Sequence, residues 1–271
     1  MTTPPPPRID PVTGQPLPPA QPPASEEKKL LAPIWHTALL VFVLLANSLG
    51  TALITSRLAG QRTNALSDQQ RIAQYVFTIA FEFFLLFLVW IGLRLKKTKI
   101  RDLIGGRWNS PEAFLVDVSI AIGFWVVASF VLAGLGFAMG LTKGSQVEAA
   151  KKLAEFLAPH SLRALVVFVV LSTVAGFVEE IIFRGYLQRQ FAVLTGNVYA
   201  GLVLQAALFG AGHGYEGARR MVLIFVFGTM FGFLALWRKS LRPGMMAHAL
   251  YDSVAGIVLF YVARKGFPSM P

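Results

Sequence analysis

Apolar residues fall in long unbroken runs separated by short, mostly basic stretches. The runs are Leu30–Ile54, Ile72–Leu95, Ala113–Met139, Leu162–Gln190, Val198–His213, Met221–Trp237 and Met245–Val262. Most have the length a helix needs to cross a hydrocarbon layer of about 30 Å. The pattern predicts an all-α fold, a polytopic membrane bundle of about seven transmembrane helices. Ser110-Pro111 opens the third run as a helix start, with Ser as N-cap and Pro at the first helical position. The fifth run is short, and Gly210, Gly212, Gly214 and Gly217 interrupt or follow its end, so a broken or re-entrant helix is expected there. Between the third and fourth runs, Ser145–Pro159 reads as a short interfacial amphipathic helix. Val147, Ala150, Ala154 and Leu157 share one face, Glu148, Lys152 and Glu155 another, and Ser145 with Glu148 has the spacing of a capping box.

The ends of the chain read differently. Residues 1–29 are rich in Pro, with Pro4 to Pro7 consecutive, and form a Pro-rich tail expected to be disordered or polyproline-II. No apolar run follows a basic start within the first 25 residues, so the first span is expected to stay as an uncleaved anchor. The sequence thus divides into the tail 1–29, an N-terminal group of helices 30–159, a core 160–262 and a short tail 263–271.

Composition sharpens this picture. Of the 271 residues 55% are hydrophobic and 14% charged, against about 25% charged in soluble domains. With a mean hydropathy of +0.58, a water-facing surface cannot cover that much apolar matter. Cys is absent, which removes disulfides, thiolate metal sites and a Cys nucleophile. The net charge of +11 sits mostly in loops between apolar runs, so membrane lipid headgroups, not nucleic acid, are the expected partner. The basic cluster Arg94–Arg107 favours a cytoplasmic loop, and with it a cytoplasmic N-terminus in a cell (inner) membrane.

The fourth run contains Glu179-Glu180-Ile-Ile-Phe-Arg184. Three ionisable groups near a helix centre cost about 8–10 kcal/mol on the insertion scale, while the thirteen Leu, Val, Ile and Phe of Leu165–Phe183 return about 4–8. A lipid-facing placement therefore loses, and these groups must face the bundle or a wet cavity. Glu180 and Arg184 are spaced for an ion pair, which leaves Glu179 as the candidate general base. A buried structural pair is the bland alternative. His213 closes the fifth run after Phe209-Gly-Ala-Gly, where an interfacial His is the plainer reading. His248 and Asp252 stand four apart in the seventh run, either as a helix-gluing polar pair or as an imidazole with its tautomer fixed by a carboxylate.

Together the three motifs resemble those of the CAAX-prenyl-endopeptidase and bacteriocin-processing (CPBP, also called Abi) family of intramembrane proteases. The family pattern Glu-Glu-x-x-x-Arg, Phe-x-x-x-His, His-x-x-x-Asn/Asp is matched here by Glu179-Glu180-x-x-x-Arg184, Phe209-x-x-x-His213 and His248-x-x-x-Asp252, over residues 160–262. The resemblance implies hydrolysis of a peptide bond in a membrane-associated or lipidated protein or peptide substrate. Glu179 would deprotonate a water held by His213, and His248, helped by Asp252, would stabilise the oxyanion. Glu180 and Arg184 would orient the site. No cofactor is favoured, since the sequence has no His-Glu-x-x-His signature. Zinc held by Glu179, His213 and His248 is the alternative.

Two other classes stay open at this level: a proton-coupled transporter using the same groups as a relay, and a catalytically silent scaffold of the same fold. The lack of an internal repeat counts against the first and the intact motif set against the second. Simple alternation of spans puts His213 toward the opposite side from Glu179, so their convergence requires a re-entrant loop or a tilted or broken fifth helix. Glu82, Asp117, His36, Asn47 and Gln205 fall inside runs without matching a motif and are expected to face the bundle or line a cavity, Glu82 being the first to test.

Overall fold

The computed structural model describes Gln15 and residues 29–59 and 66–265. The Pro-rich tail, apart from Gln15 and Lys29, and residues 266–271 lie outside the described residues. The helices are α1 (Ile34–Ala59), α2 (Asp68–Leu95), α3 (Ile100–Ile104), α4 (Pro111–Ala138), α5 (Ser145–Leu157), α6 (Leu162–Glu179), α7 (Gln188–Thr195), α8 (Val198–Gly212), α9 (Ala218–Arg238) and α10 (Arg242–Lys265). A π-helical segment, Glu180–Leu187, joins α6 to α7, and a 3-10 turn, Gly214–Glu216, joins α8 to α9.

Among the described residues six helical runs are long and apolar enough to cross a membrane, and α8 is a shorter apolar helix. The protein is an integral, multi-pass, all-helical membrane bundle. Its outer surface is apolar where a soluble protein's would be polar: Phe77 and Phe130 are 70% and 76% exposed.

Local chemistry explains where the helices begin. Ser110 accepts from Ala113 N at 3.3 Å with Pro111 at the first position, as its sequence predicts. α2 starts four residues before the apolar run, because Ser67 and Gln70 form a capping box that an apolar count does not register. α5 forms as expected but without its capping box. Gly144, at φ 53°, takes the N-cap position and Ser145 is already inside the helix. Its far end is held by α2: Arg71 donates to the carbonyls of Glu155, Phe156 and Ala158, and Tyr75 to that of Leu157.

Glu82, Asp117, His36 and Gln205 are buried as expected, whereas Asn47 is exposed. α1 turns Ser48 inward one position later. Asp117 accepts from Trp108 and pairs with Arg238 at 2.8 Å and Arg242 at 3.2 Å, tying α4 to both ends of the α9–α10 connection. The neighbouring Ser240 and the N–H of Leu241 bond the carbonyl of Ile104, so the basic loops 96–107 and 238–242 share one end of the bundle.

Candidate functional site

The run Leu162–Thr195 is continuous over 34 residues, about 51 Å, and overshoots a bilayer core at one end. Glu179 lies at its middle. Gly196, in the left-handed conformation, and Asn197, which caps α8, then reverse the chain. Sixteen residues separate Glu179 from Thr195, and sixteen separate Asn197 from His213. A hairpin with equal arms brings its ends level, so neither a re-entrant loop nor a broken α8 is needed. The expectation that they would end on opposite sides placed the reversal too early, at the end of the apolar run. α8 hugs its partner because Gly201 has no side chain: a Cβ there would stand 2.4 Å from the Gln188 carbonyl.

The π segment carries the first motif. Gln188 N donates to the Phe183 carbonyl, five residues back, which widens the helix. Such widenings are frequent at functional sites. All eight residues of the segment are buried. Arg184 NH1 donates to Glu180 Oε1 at 2.8 Å, and NH2 to the Gly228 carbonyl at 3.2 Å. Its guanidinium lies over the rings of Phe209 (4.6 Å) and Phe231 (5.1 Å), so aromatic faces replace lost water. The sequence-predicted pair of Glu180 and Arg184 is thus present and wholly buried.

α10 lies antiparallel to α6 and supplies the third motif. Close approach is set by glycines at both crossings: Gly176 faces the Ala249 backbone and Gly256 faces the Phe168 ring. Just beyond the first crossing His248 is pressed against the end of α6. Its Nδ1 stands 3.2 Å from Glu180 Oε1, and a carboxylate only accepts, so Nδ1 carries the proton. Nε2 faces the reactive side, 3.7 Å from Glu179 Oε2 and 3.7 Å from Asp252 Oδ2. The nearer partner of His248 is therefore Glu180, on the opposite nitrogen from Asp252. Glu180 Oε2 fits against Gly244, where a Cβ would approach to 3.2 Å.

His213 caps the C-terminus of α8. Its Nδ1–H donates to the Phe209 carbonyl at 2.9 Å, which leaves Nε2 for another partner. The Phe209 ring lies 5.0 Å from that of His213 and 6.0 Å from that of His248, so the two imidazoles are at most about 11 Å apart. His213 also interacts electrostatically with Asp252. The turn that bears it is pinned from α1: Ser48 Oγ donates to the Ala211 carbonyl (2.7 Å) and accepts from Gly214 N (3.3 Å).

The motif residues differ in how they are satisfied. Glu180 has two charged or polar partners and 1% side-chain exposure, while Glu179 is 16% exposed and, among the described residues, makes its ion-pair contact with His248 Nε2 alone. Tyr215 and Glu216 join the same cluster, and the sequence reading missed them although they directly follow His213-Gly214. Burial, with the carboxylates of Glu216, Glu179 and Asp252, pushes the Tyr215 phenol above its ordinary value. Burial likewise raises the Glu216 carboxyl. Among the described residues no three His, Asp or Glu side chains gather as a metal-ligand set.

No curated protein and no solved structure matches the chain. A family model described as type II CAAX prenyl endopeptidase Rce1-like matches residues 161–254, from the N-cap of α6 to just beyond Asp252, a stretch that includes all three motifs. Over that segment, about a third of the chain, the protein is similar to the Rce1-like family of CAAX-type membrane proteases.

Proposed function

We propose that this protein is an intramembrane endopeptidase that hydrolyses a peptide bond with a water activated by Glu179, in a lipidated, CAAX-type substrate or a membrane-associated leader peptide. The observation that carries this reading is the unequal treatment of two adjacent carboxylates. Glu180 is saturated by Arg184 and His248. Glu179 is partly accessible, faces an imidazole, and is left with proton-accepting capacity.

Each remaining group has a step. Glu179 takes a proton from water, and the hydroxide adds to the scissile carbonyl. The Nε2 of His213, freed because its Nδ1–H is spent on Phe209, holds that water. His248 is kept in one orientation by Glu180, and its Nε2, beside Asp252, stabilises the developing oxyanion as a protonated donor. Glu179 then returns the proton to the departing amine. A second carboxylate beside His248 favours the cationic ring this role needs. The packing of the two basic loops at one end supports a cytoplasmic placement of that end. Leu241 of that end touches Gly185, so the site lies about 9 Å, six residues of helix, inside it.

The test is cleavage by purified protein in detergent of a prenylated CAAX peptide, its unprenylated form and a leader-type peptide. Cleavage by wild type and its loss in Glu179→Gln supports the reading. No cleavage of any of the three by folded protein would overturn it in favour of a transport or scaffold role.

A further inference from the structure

Glu82 is a buried carboxyl that the mechanism above does not use. It sits on the inner face of α2 with Tyr75, Leu85 and Val89, and is 7% exposed. Its Oε2 is buried without a hydrogen-bond partner. Among the described residues no Lys, Arg or His forms an ion pair with it. A carboxyl of this kind, in an interface between apolar helices, needs a reason to be there.

The register of two helices supplies one. α2 and α6 run parallel. At their starts Ser161 Oγ donates to Asp68 Oδ2 at 2.8 Å, a pair 93 residues apart. Two turns on, the Tyr75 ring meets that of Phe168 at 5.3 Å, with the same offset. Carried two turns further, the offset sets Glu82 beside Ala175, one helical turn before Glu179. The two carboxyl groups interact electrostatically across this interface. Two ionised carboxylates at such a place repel each other, whereas one shared proton removes the repulsion and satisfies the orphaned oxygen.

We propose that Glu82 is a positioning residue for Glu179: it carries the proton of a Glu82–Glu179 pair and donates it as a hydrogen bond to the Glu179 carboxylate, fixing that carboxylate toward His248 and the water. This rests on the peptidase reading for its consequence, though not for the existence of the pair. The arrangement leaves one Glu179 oxygen bonded and the other, Oε2, turned to His248 as base.

Two measurements on the full-length protein in detergent test it. The first compares Glu82→Leu, which keeps bulk but has no donor, with Glu82→Gln, which keeps one; Glu82→Met serves if Glu82→Leu does not fold. Loss of a hydrogen bond to a charged group predicts a kcat lower by about 10–100-fold in Glu82→Leu with KM unchanged, and recovery of most of that loss in Glu82→Gln. Wild-type kcat in folded Glu82→Leu or Glu82→Met overturns the proposal, and so does equal loss in Glu82→Gln. The second is the infrared carbonyl stretch of a protonated carboxyl in the resting protein. It should vanish in Glu82→Gln and shift in Glu179→Gln; a band unchanged in both overturns the proposal. The infrared result does not depend on cleavage, so an inactive wild type would remove the peptidase reading and leave the pair to be judged on its own.

Discussion

Gly176 of α6 lies so close to Ala249 of α10 that a Cβ on the glycine would stand 2.5 Å from the Ala249 nitrogen. One residue before Ala249 is His248, and three after Gly176 is Glu179. The contact therefore sets the distance between the imidazole and the carboxylate it faces. Gly176→Val must push the helices apart, since backbone rather than a flexible side chain is in the way. The expected result is a loss of about 1–3 kcal/mol in stability and a larger loss of cleavage, read by thermal melting and by kcat of the folded fraction. Wild-type kcat in this variant would show that the helix spacing does not set the site.

Glu179 and Glu180 are adjacent but should differ in what the same substitution does to stability. Glu179→Gln removes a proton acceptor on which no buried Arg or Lys depends for its counter-charge, so cleavage should fall by about 10²–10⁴-fold with little change in melting temperature. Glu180→Gln leaves a fully buried Arg184 without its counter-charge, at a cost of about 3–5 kcal/mol, so stability and expression should drop as well. Equal melting temperatures for the two variants would contradict the division of roles.

Ser48 belongs to α1, outside the matched segment, yet it holds the turn that carries His213. Ser48→Ala leaves the Gly214 N–H and the Ala211 carbonyl short of a partner, at a cost of about 1–3 kcal/mol. Activity should fall with it, and Ser48→Thr should restore part. Cleavage indifferent to Ser48→Ala would show that the turn holds itself.

Glu216 gives a pH dependence whose sign follows from burial. Its carboxyl is raised in the folded protein, so the native state binds more protons than the unfolded one above the ordinary carboxylate value. Stability should fall as pH rises through that range. Glu216→Gln should reduce this fall and melt higher than wild type at neutral pH. Parallel melting-temperature profiles for the two proteins would refute it.

Metal removal separates the two hydrolytic chemistries. With Glu179 as base and no metal, cleavage should be the same before and after dialysis against a chelator. Loss on chelation with recovery on adding Zn²⁺ would instead assign Glu179, His213 and His248 to a metal.

The sequence by itself determined the membrane bundle, because length and apolarity are local properties of each run and the bilayer demands them. It also determined which charges had to turn inward, since Glu179, Glu180 and Arg184 cannot face lipid at their insertion cost. The pairing of Glu180 with Arg184 was legible for the same reason: both lie on one helix at a fixed spacing.

Tertiary structure decided what depends on two segments at once. The level of His213 relative to Glu179 follows from where the hairpin reverses, at Gly196–Asn197, beyond the apolar run that the sequence offered as the helix end. The π widening of 180–187 has no periodicity in the sequence to announce it. The partner of His248 Nδ1 is Glu180, not the Asp252 four residues along, because the glycine-lined crossing of α6 and α10 brings Glu180 nearer than an i,i+4 neighbour. Glu82 was visible only as a carboxyl out of place. Its relation to Glu179 depends on the parallel register of α2 and α6, which no residue of either helix encodes alone.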